Sequence, residues 1–375
     1  MFPRRTTVVK YAFLLCLGLC VLLFWVSKPD ESSSGLSPWR RLVEEFELMG
    51  VNETQLRMEF HDLKKQVNAT FNAENKTVEE VYRYIQAMKQ RLPINPHFFK
   101  YTMNPAKVCH DNDIFLLVYI HSAPDHHKRR TAIRETWGNP SYLKETKMRL
   151  IFLMGMPKAK SVQEALQLEY EAYGDIVQEN FVDSYRNLTY KAIMGLKWIS
   201  NHCRQAKFIL KTDDDIFVNI FNLVSHLKSM WTFRQGNLSK LVLCLVWYRM
   251  KVIRDPKSKW YIPYSEFRDD YFPTYCSGSA YIFSADVAVD MYNVSLQTPF
   301  FWVDDFYITG LLAQKIGVKH EKFNSVYVLG PSVFFEKFTE ENKWRTLVFG
   351  HVHNLNHMTH VWKQILKDRK LLEKS

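Results

Sequence analysis

The stretch FILKTDDDIFVN, residues 208–219, contains both a strand pattern and a cluster of carboxylates. Its apolar beginning predicts a buried strand, which runs into Asp213, Asp214 and Asp215 before the apolar pattern resumes. In an open α/β sheet, ligands collect outside the carboxyl ends of the strands. Mn²⁺ or Mg²⁺ prefers oxygen ligands and is commonly held by one or two carboxylates together with substrate phosphates. The stretch therefore predicts a metal-bridged diphosphate site, with a solvated acidic turn as the alternative.

Composition indicates a folded protein with a basic surface. Of the 375 residues, 47% are hydrophobic and 15% aromatic, which excludes a disordered chain. The length exceeds what one hydrophobic core fills, so we expect one large domain preceded by sequence outside it. The formal net charge is +11. Because the chain has no long basic run and no nucleic-acid module, we predict anionic nucleotides and membranes as partners, and no nucleic acid.

Residues 11–27 (YAFLLCLGLCVLLFWVS) form an uncharged apolar run at the short end of what spans a bilayer. A cleaved signal peptide is the alternative, but Phe24, Trp25 and Val26 stand where cleavage needs small residues. We predict an uncleaved signal anchor, with basic residues keeping the tail, residues 1–10, in the cytoplasm. Short spans suit thinner membranes, so the chain is expected in the Golgi membrane as a single-pass type II protein.

Sequons and cysteines agree with a lumenal location. The candidate N-glycosylation sites are Asn52, Asn68, Asn75, Asn187, Asn237 and Asn293. Cys16 and Cys20 lie in the predicted anchor, and the disulfide candidates are Cys109, Cys203, Cys244 and Cys276. Four cysteines allow three pairings, between which the sequence alone does not choose. The first three sequons cluster in residues 28–97, which we interpret as a lumenal stem with helical spacing and no chemistry of its own.

The folded domain is expected over residues 98–375. Strand patterns alternate with helical ones, which predicts an α/β fold whose mostly parallel central sheet is covered on both faces. The predicted strands are residues 114–120, 148–154, 176–181, 208–211 and 241–248. Residues 183–201 and the segment LLAQKIG, residues 311–317, read as helices.

Further candidate site residues follow the strands. Arg130 and Arg134 suit bidentate phosphate contacts, although a solvated helix face explains them nearly as well. The aromatic-rich residues 257–263 and 269–279 predict a loop that binds a sugar, with core packing as the alternative. Asp304 and Asp305, between aromatic residues, are candidates for a general base or for a helix cap.

Histidines are frequent near the C-terminus, at positions 351, 353, 357 and 360. One of them is a candidate nitrogen ligand of the metal, and each is otherwise explained as a surface residue.

Five motifs in order make the chain resemble the β-1,3-glycosyltransferase family, which includes β-1,3-galactosyltransferases and β-1,3-N-acetylglucosaminyltransferases. They are AIRETWG at 132–138, DSYRNLTYKAIMG at 183–195, KTDDDIFVN at 211–219, SKWYIP at 258–263 and YCSGSAYIFSADVA at 275–288. The likeness covers about residues 99–362 and is greater to the galactosyltransferases, notably at SKWYIP and at FKYTMN, residues 99–104.

The resemblance implies a GT-A fold that binds a UDP-sugar, UDP-galactose above all, with Mn²⁺ or Mg²⁺, and a glycan acceptor on a glycoprotein or glycolipid. Residues 213–215 match the family's DxD motif, with Asp215 as the metal ligand. His351, ahead of Trp362, matches a further metal ligand. Asp305 takes the general-base position of the family's Glu-Asp-Val-Tyr motif, in which Asp304 and Phe306 are departures.

The remaining assignments also rest on the resemblance. The nucleotide-binding candidates are Arg130, Arg134, Asp183, Asn187, Lys191, Asp213 and Asp214, and the acceptor-binding candidates are Trp260, Tyr261 and Asp304. A family cysteine shortly before the histidine is absent, which implies that Cys244 pairs with Cys276 and Cys109 with Cys203.

The expected reaction is an inverting transfer of galactose to the 3-hydroxyl of an acceptor sugar. Transfer of an N-acetylated hexosamine is the nearest alternative. Hydrolysis of the UDP-sugar and a non-catalytic lumenal glycan-binding or chaperone role are the others. The sequence does not indicate the acceptor or the oligomeric state.

Overall fold

The structure is a computed structural model that describes residues 93–143, 145–340 and 343–371. The predicted cytoplasmic tail and signal anchor lie outside these residues, as does the stem up to residue 92, with Asn52, Asn68 and Asn75. In the part of the chain that is described, no helix is both long and apolar enough to cross a membrane. The division of the chain into tail, anchor, stem and folded domain stays a prediction.

The described strands belong to one large sheet and one small sheet. In chain order they are β1 Tyr101–Met103, β2 Leu116–His121, β3 Met148–Met156, β4 Ile176–Val182, β5 Phe208–Asp213, β6 Ile216–Val218, β7 Val242–Trp247, β8 Tyr275–Phe283, β9 His320–Lys322, β10 Tyr327–Val328 and β11 Phe349–His351.

The helices cover both faces of the large sheet. They are α1 His127–Glu135, α2 Lys160–Tyr173, α3 Leu188–His202, α4 Ile220–Phe233, α5 Ala285–Ser295, α6 Asp304–Phe306, α7 Ala313–Lys315, α8 Phe334–Thr339 and α9 Leu355–Asp368. A π-helical stretch, Tyr307–Leu312, joins α6 to α7. Single turns of 3₁₀ helix occur at Ala106–Cys109, Pro140–Leu143, Tyr185–Asn187, Asn324–Val326 and Lys343–Arg345.

The large sheet has the order β1-β4-β3-β2-β5-β8-β7-β9. Its central strands β4, β3, β2 and β5 are parallel, while β8 runs antiparallel to both β5 and β7. The fold is therefore α/β with a mainly parallel centre, as predicted. In the small sheet β11 lies between β10 and β6, and it pairs antiparallel with β6.

Each face of the large sheet has its own hydrophobic core. Successive side chains of a strand point to opposite faces, and β2, which is apolar up to His121, supplies both cores. Its Val118 packs in the core that contains α4 and α9, and its Leu117 packs in the core that contains α3 and α5. Two covered faces explain why the central strands are continuous apolar runs.

Three local predictions need correction. The helix predicted from residue 183 begins at Leu188, because Ser184 is extended and a 3₁₀ turn precedes the helix. The predicted sugar-binding loop 269–279 is half strand, since Tyr275 already belongs to β8 and pairs with Trp247. The predicted helix at 311–317 is the end of the π-helical stretch followed by α7.

Candidate active site

The parallel strands bring their carboxyl ends together at one edge of the sheet. His121 ends β2, Asp213 ends β5, and these two residues are register partners. Asp183 directly follows β4. All three line a cavity of about 600 Å³, which also includes Lys191 and Asp215 in its wall. We call this cavity the first cavity.

A second cavity of about 450 Å³ adjoins the first and is lined by Trp260, Asp304 and Asp305 among others. Tyr185, Leu188, Asp213 and Asp215 line both cavities. The acidic cluster predicted from residues 208–219 therefore stands at the boundary between two cavities. This is where two substrates that must react with each other would meet.

Asp213 is held by a buried lysine that the sequence analysis did not select. The Lys211 ammonium lies 2.6 Å from Asp213 Oδ1 and donates to the Gly278 carbonyl at 2.5 Å. Burial raises the pKa of Asp213; the Lys211 ammonium opposes this effect and the Asp215 charge adds to it. The Asp213 side chain is still 38% exposed to the cavities, so it can contact a ligand.

Asp214 borders the first cavity, but its carboxylate is already engaged. It accepts hydrogen bonds from Ser122 Oγ at 2.7 Å and from His126 Nδ1 at 2.8 Å. Both donors belong to the connection between β2 and α1. Asp214 therefore joins that connection to the end of β5, and in this arrangement it has little capacity left for a nucleotide.

Asp215 lies with two histidines from the far end of the chain. Pairing of β11 with β6 places His351 opposite Ile216, and His351 Nε2 is 3.2 Å from Asp215 Oδ2. One ligand atom from each of Asp215, His351 and His353 lies within 4.8 Å of the others. Burial alone would raise the pKa of Asp215, but its interaction with His351 lowers it. Mn²⁺ prefers oxygen ligands such as the Asp215 carboxylate, and histidine is a common metal ligand in proteins, so these residues fit the metal that the resemblance implies.

Asp305 lies in the second cavity at the start of a short helix. Its Oδ1 accepts from its neighbour's amide, Phe306 N, at 2.8 Å, and its Oδ2 accepts from Gly278 N at 3.1 Å. Burial, and then the negative charge of Asp304, raise the pKa of Asp305. A carboxylate with a raised pKa that faces a cavity is suited to act as a general base. The π-helical stretch that follows is a feature often found at functional sites.

Asp183 and Lys191 form an ion pair at the floor of the first cavity. Their closest atoms, Lys191 Nζ and Asp183 Oδ2, are 2.9 Å apart, and Lys191 also donates to the Ser122 carbonyl. Asn187 lines neither cavity, and its side-chain amide donates to the Val182 carbonyl at 2.8 Å.

Among the acceptor candidates, Trp260 lines the second cavity and is 48% exposed, while Tyr261 does not line it.

The structure does not place Arg130 or Arg134 in either cavity. Arg130 is fully buried and makes a bidentate pair with Glu169 of α2, with N–O distances of 2.8 and 2.7 Å. Arg134 donates to Glu169 and also binds Asp175. The predicted phosphate contacts are corrected accordingly. Both guanidinium groups extend from α1 toward α2, where the buried carboxylate of Glu169 neutralises their positive charge.

The disulfides join Cys109 to Cys203 and Cys244 to Cys276, which are the pairs implied by the resemblance. The sequons at Asn237 and Asn293 are exposed, whereas Asn187 is partly buried.

Sequence reasoning missed His121, Lys211 and Gly278 as site residues, although each has a sequence signal. His121 ends a predicted strand, and Lys211 is a charge inside an apolar strand. Gly278 is a glycine inside a strand-like stretch, where glycine often marks a close approach of another group to the backbone.

Two adjoining cavities with a group of residues that could hold a metal ion, and with a separate carboxylate of raised pKa, are the arrangement of an enzyme site. Residues 128–324 match the family model described as galactosyltransferase. The chain belongs to the galactosyltransferase family. It is a glycosyltransferase, which uses a nucleotide-sugar donor and a glycan acceptor.

Named relatives agree with this family. The chain is 39% identical over 227 residues to beta-1,3-galactosyltransferase 1 of Homo sapiens, covering 60% of this chain and 68% of that protein. It is 35% identical over 233 residues to lactosylceramide 1,3-N-acetyl-beta-D-glucosaminyltransferase of Mus musculus, covering 60% of each. Among solved structures, the galactosyltransferase LgtC with donor and acceptor sugar analogs matches with a TM-score of 0.34 and 10% identity, over 67% of this chain and 96% of that one. That TM-score is too low to establish a shared fold.

Proposed function

We propose that the protein transfers galactose from UDP-galactose to the 3-hydroxyl of an acceptor sugar on a glycoprotein or glycolipid, forming a β-1,3 linkage with inversion. The observation that carries this proposal is the position of Asp305. Its carboxylate lies in the second cavity, which shares Asp213 and Asp215 with the first. An acceptor in the second cavity would thus lie beside a donor whose diphosphate is in the first.

In the proposed mechanism Asp305 accepts the proton of the acceptor's 3-hydroxyl as that oxygen attacks the anomeric carbon and the bond to UDP breaks. Gly278 N and Phe306 N hold the carboxylate in place. Lys191 supplies positive charge near the donor. A divalent cation held by Asp215 and His351 would neutralise negative charge on the diphosphate. Transfer in a single displacement inverts the anomeric configuration.

A donor screen tests the substrate assignment. The full-length protein is assayed with Mn²⁺, simple β-linked acceptors and each of UDP-galactose, UDP-N-acetylglucosamine and UDP-N-acetylgalactosamine. Turnover with UDP-galactose alone is the expected result. Turnover with an N-acetylated donor instead would overturn the galactose assignment and leave the mechanism standing. Release of UDP without any acceptor product would identify a hydrolase.

Substitution Asp305→Asn tests the base. It should lower kcat by about 10²-fold or more, since a positioned base typically contributes that much, while UDP affinity stays unchanged. Asp290→Asn, an exposed carboxylate on α5, is the matched control and should leave turnover at the wild-type level. An Asp305→Asn protein with wild-type turnover would show that the base is elsewhere.

The metal-ligand assignment predicts a different defect. Asp215→Ala should weaken the binding of UDP in Mn²⁺ and should remove the difference between UDP titrations with Mn²⁺ and with EDTA. Calorimetric titration measures both. If Mn²⁺ still enhanced UDP binding to Asp215→Ala by the wild-type factor, Asp215 would not be a ligand.

We also propose that the protein is held in the Golgi membrane by a type II anchor, with its folded domain in the lumen.

A further inference from the structure

His121 is a buried histidine without a hydrogen-bond partner. Its side chain is 3% exposed, and neither ring nitrogen bonds to any group in the part of the chain that is described. The Asp304 carboxylate is near it, but Asp304 Oδ2 lies 3.9 Å from His121 Nδ1, beyond hydrogen-bond length. Buried polar side chains in folded proteins are nearly always paired, so two unpaired nitrogens on one ring call for an explanation.

Core packing alone does not explain this histidine. His121 lines the first cavity at the end of β2, so its side chain belongs to the wall that a ligand in this cavity would meet. Burial lowers the pKa of His121, and the charges of Lys211 and Lys191 lower it further. The ring is therefore neutral and offers one N–H donor and one nitrogen acceptor. A sugar hydroxyl, which both donates and accepts, is complementary to such a ring.

The position of His121 indicates which part of the donor it meets. It pairs in register with Asp213, which lines both cavities, and it faces Asp304, which lines the second cavity. It thus lies between the acidic cluster and the carboxylates of the acceptor side. In the proposed function the hexose that is transferred lies between these two sets of carboxylates.

We propose that His121 hydrogen-bonds a hydroxyl of the hexose being transferred, and so contributes to the choice of donor sugar. This inference rests on the proposed function, because it requires a nucleotide sugar in the first cavity. The ligand class is the hexosyl part of a nucleoside diphosphate sugar. His121 is a binding residue for that sugar, and neither the base nor the metal site depends on it.

Equilibrium titration of the full-length protein in Mn²⁺ tests the proposal. The ligands are UDP, UDP-galactose and the 2-, 3-, 4- and 6-deoxy forms of UDP-galactose. Wild-type protein should bind one deoxy form about tenfold more weakly than UDP-galactose, as expected when a site loses one hydrogen bond. In His121→Leu that difference should shrink to within about twofold, and UDP itself should bind as in wild type. His226→Leu, at an exposed histidine packed on Phe323, is the control and should keep the wild-type pattern.

Equal losses for the same deoxy form in wild type and in His121→Leu would overturn the proposal, because coupling between the two deletions is what a contact requires. If His121→Leu fails to fold, His121→Gln is used for the same comparison. A wild-type protein that binds another UDP-sugar more tightly than UDP-galactose would overturn the galactose assignment only. The deoxy forms of that sugar then decide the role of His121 by the same criterion.

Discussion

At position 278 the backbone of β8 comes so close to Asp305 that a side chain larger than that of glycine would press on it. A Cβ added there would lie 3.2 Å from both Cβ and Oδ2 of Asp305, closer than ordinary van der Waals contact. The same glycine donates its N–H to that carboxylate. One residue thus supplies both the hydrogen bond and the space that position the proposed base.

Gly278→Ala should therefore push the Asp305 carboxylate out of place. We expect kcat to fall about tenfold or more, because displacement of a reacting group by less than 1 Å has effects of this order. Gly330→Ala is a matched control, since its added Cβ would also lie 3.2 Å from a neighbour, Val333, away from both cavities. Steady-state kinetics beside thermal unfolding measures the effect. A Gly278→Ala protein with normal kcat would show that Asp305 tolerates displacement.

The pH dependence of transfer should report the environment of Asp305. A general base works when it is deprotonated, so kcat/KM should fall as the pH drops through its pKa, which burial and Asp304 raise above that of an ordinary aspartate. In Asp304→Asn the repulsion is removed and the pKa falls. The acid limb of the pH profile should then move to lower pH. An acid limb that stays in place would mean that another group controls it.

At the scale of elements, a buried ionic cluster joins α1 to α2. Glu169 of α2 binds the guanidinium groups of Arg130 and Arg134, and Arg130 also donates to backbone carbonyls of Ala123 and Pro124. Those carbonyls belong to the connection between β2 and α1 that walls the first cavity. The hydrogen bonds of Arg130 therefore help to hold the backbone of this cavity wall in place.

Glu169→Gln should destabilise the fold by about 3–5 kcal/mol, the usual cost of removing one partner from a buried ion pair. Burial alone would raise the pKa of Glu169, but the arginines lower it to about 2. Its stabilising contribution is present above the pKa of a free glutamate and is lost as the pH falls toward 2. Glu171→Gln, exposed on the same helix, is the control. Denaturant titrations at neutral and acid pH should show the difference between the two variants narrowing in acid.

At the scale of the whole molecule, two disulfides close loops of very different length. Cys109–Cys203 spans 94 residues and joins the segment after β1 to the end of α3. Cys244–Cys276 spans 32 residues and joins β7 to β8, two residues before Gly278. One disulfide therefore closes most of the parallel half of the fold, and the other borders the proposed base.

Removal of each disulfide by a double Cys→Ala substitution should cost about 2–4 kcal/mol, with the 94-residue loop costing about 1 kcal/mol more than the 32-residue one. Loss of Cys244–Cys276 should lower kcat more, because it borders Gly278. Denaturant unfolding measures which disulfide contributes more to the free energy of unfolding, and steady-state kinetics measures which one affects kcat more. Non-reducing peptide mapping checks the pairs themselves, and a Cys109–Cys276 peptide would contradict them.

The local sequence pattern was enough to predict the α/β class, the central strands and the acidic stretch at residues 213–215, because apolar runs and clustered charges consist of adjacent residues. The family followed from five motifs in order. Helix starts and the loop before β8 were less well predicted, since pairing with β5 and β7 extends β8 into a stretch rich in turn residues.

What only the tertiary structure decided is which distant side chains meet. Pairing of β11 with β6 brings His351 to Asp215 across 136 positions of sequence, and β8 brings Gly278 to Asp305. The same packing pairs Arg130 with Glu169 and leaves both ring nitrogens of His121 without a protein partner in the wall of the first cavity. A residue's type and its neighbours in sequence specify what chemistry it can do. Whether its polar atoms are satisfied by protein or left for a ligand depends on long-range packing, which local sequence does not encode.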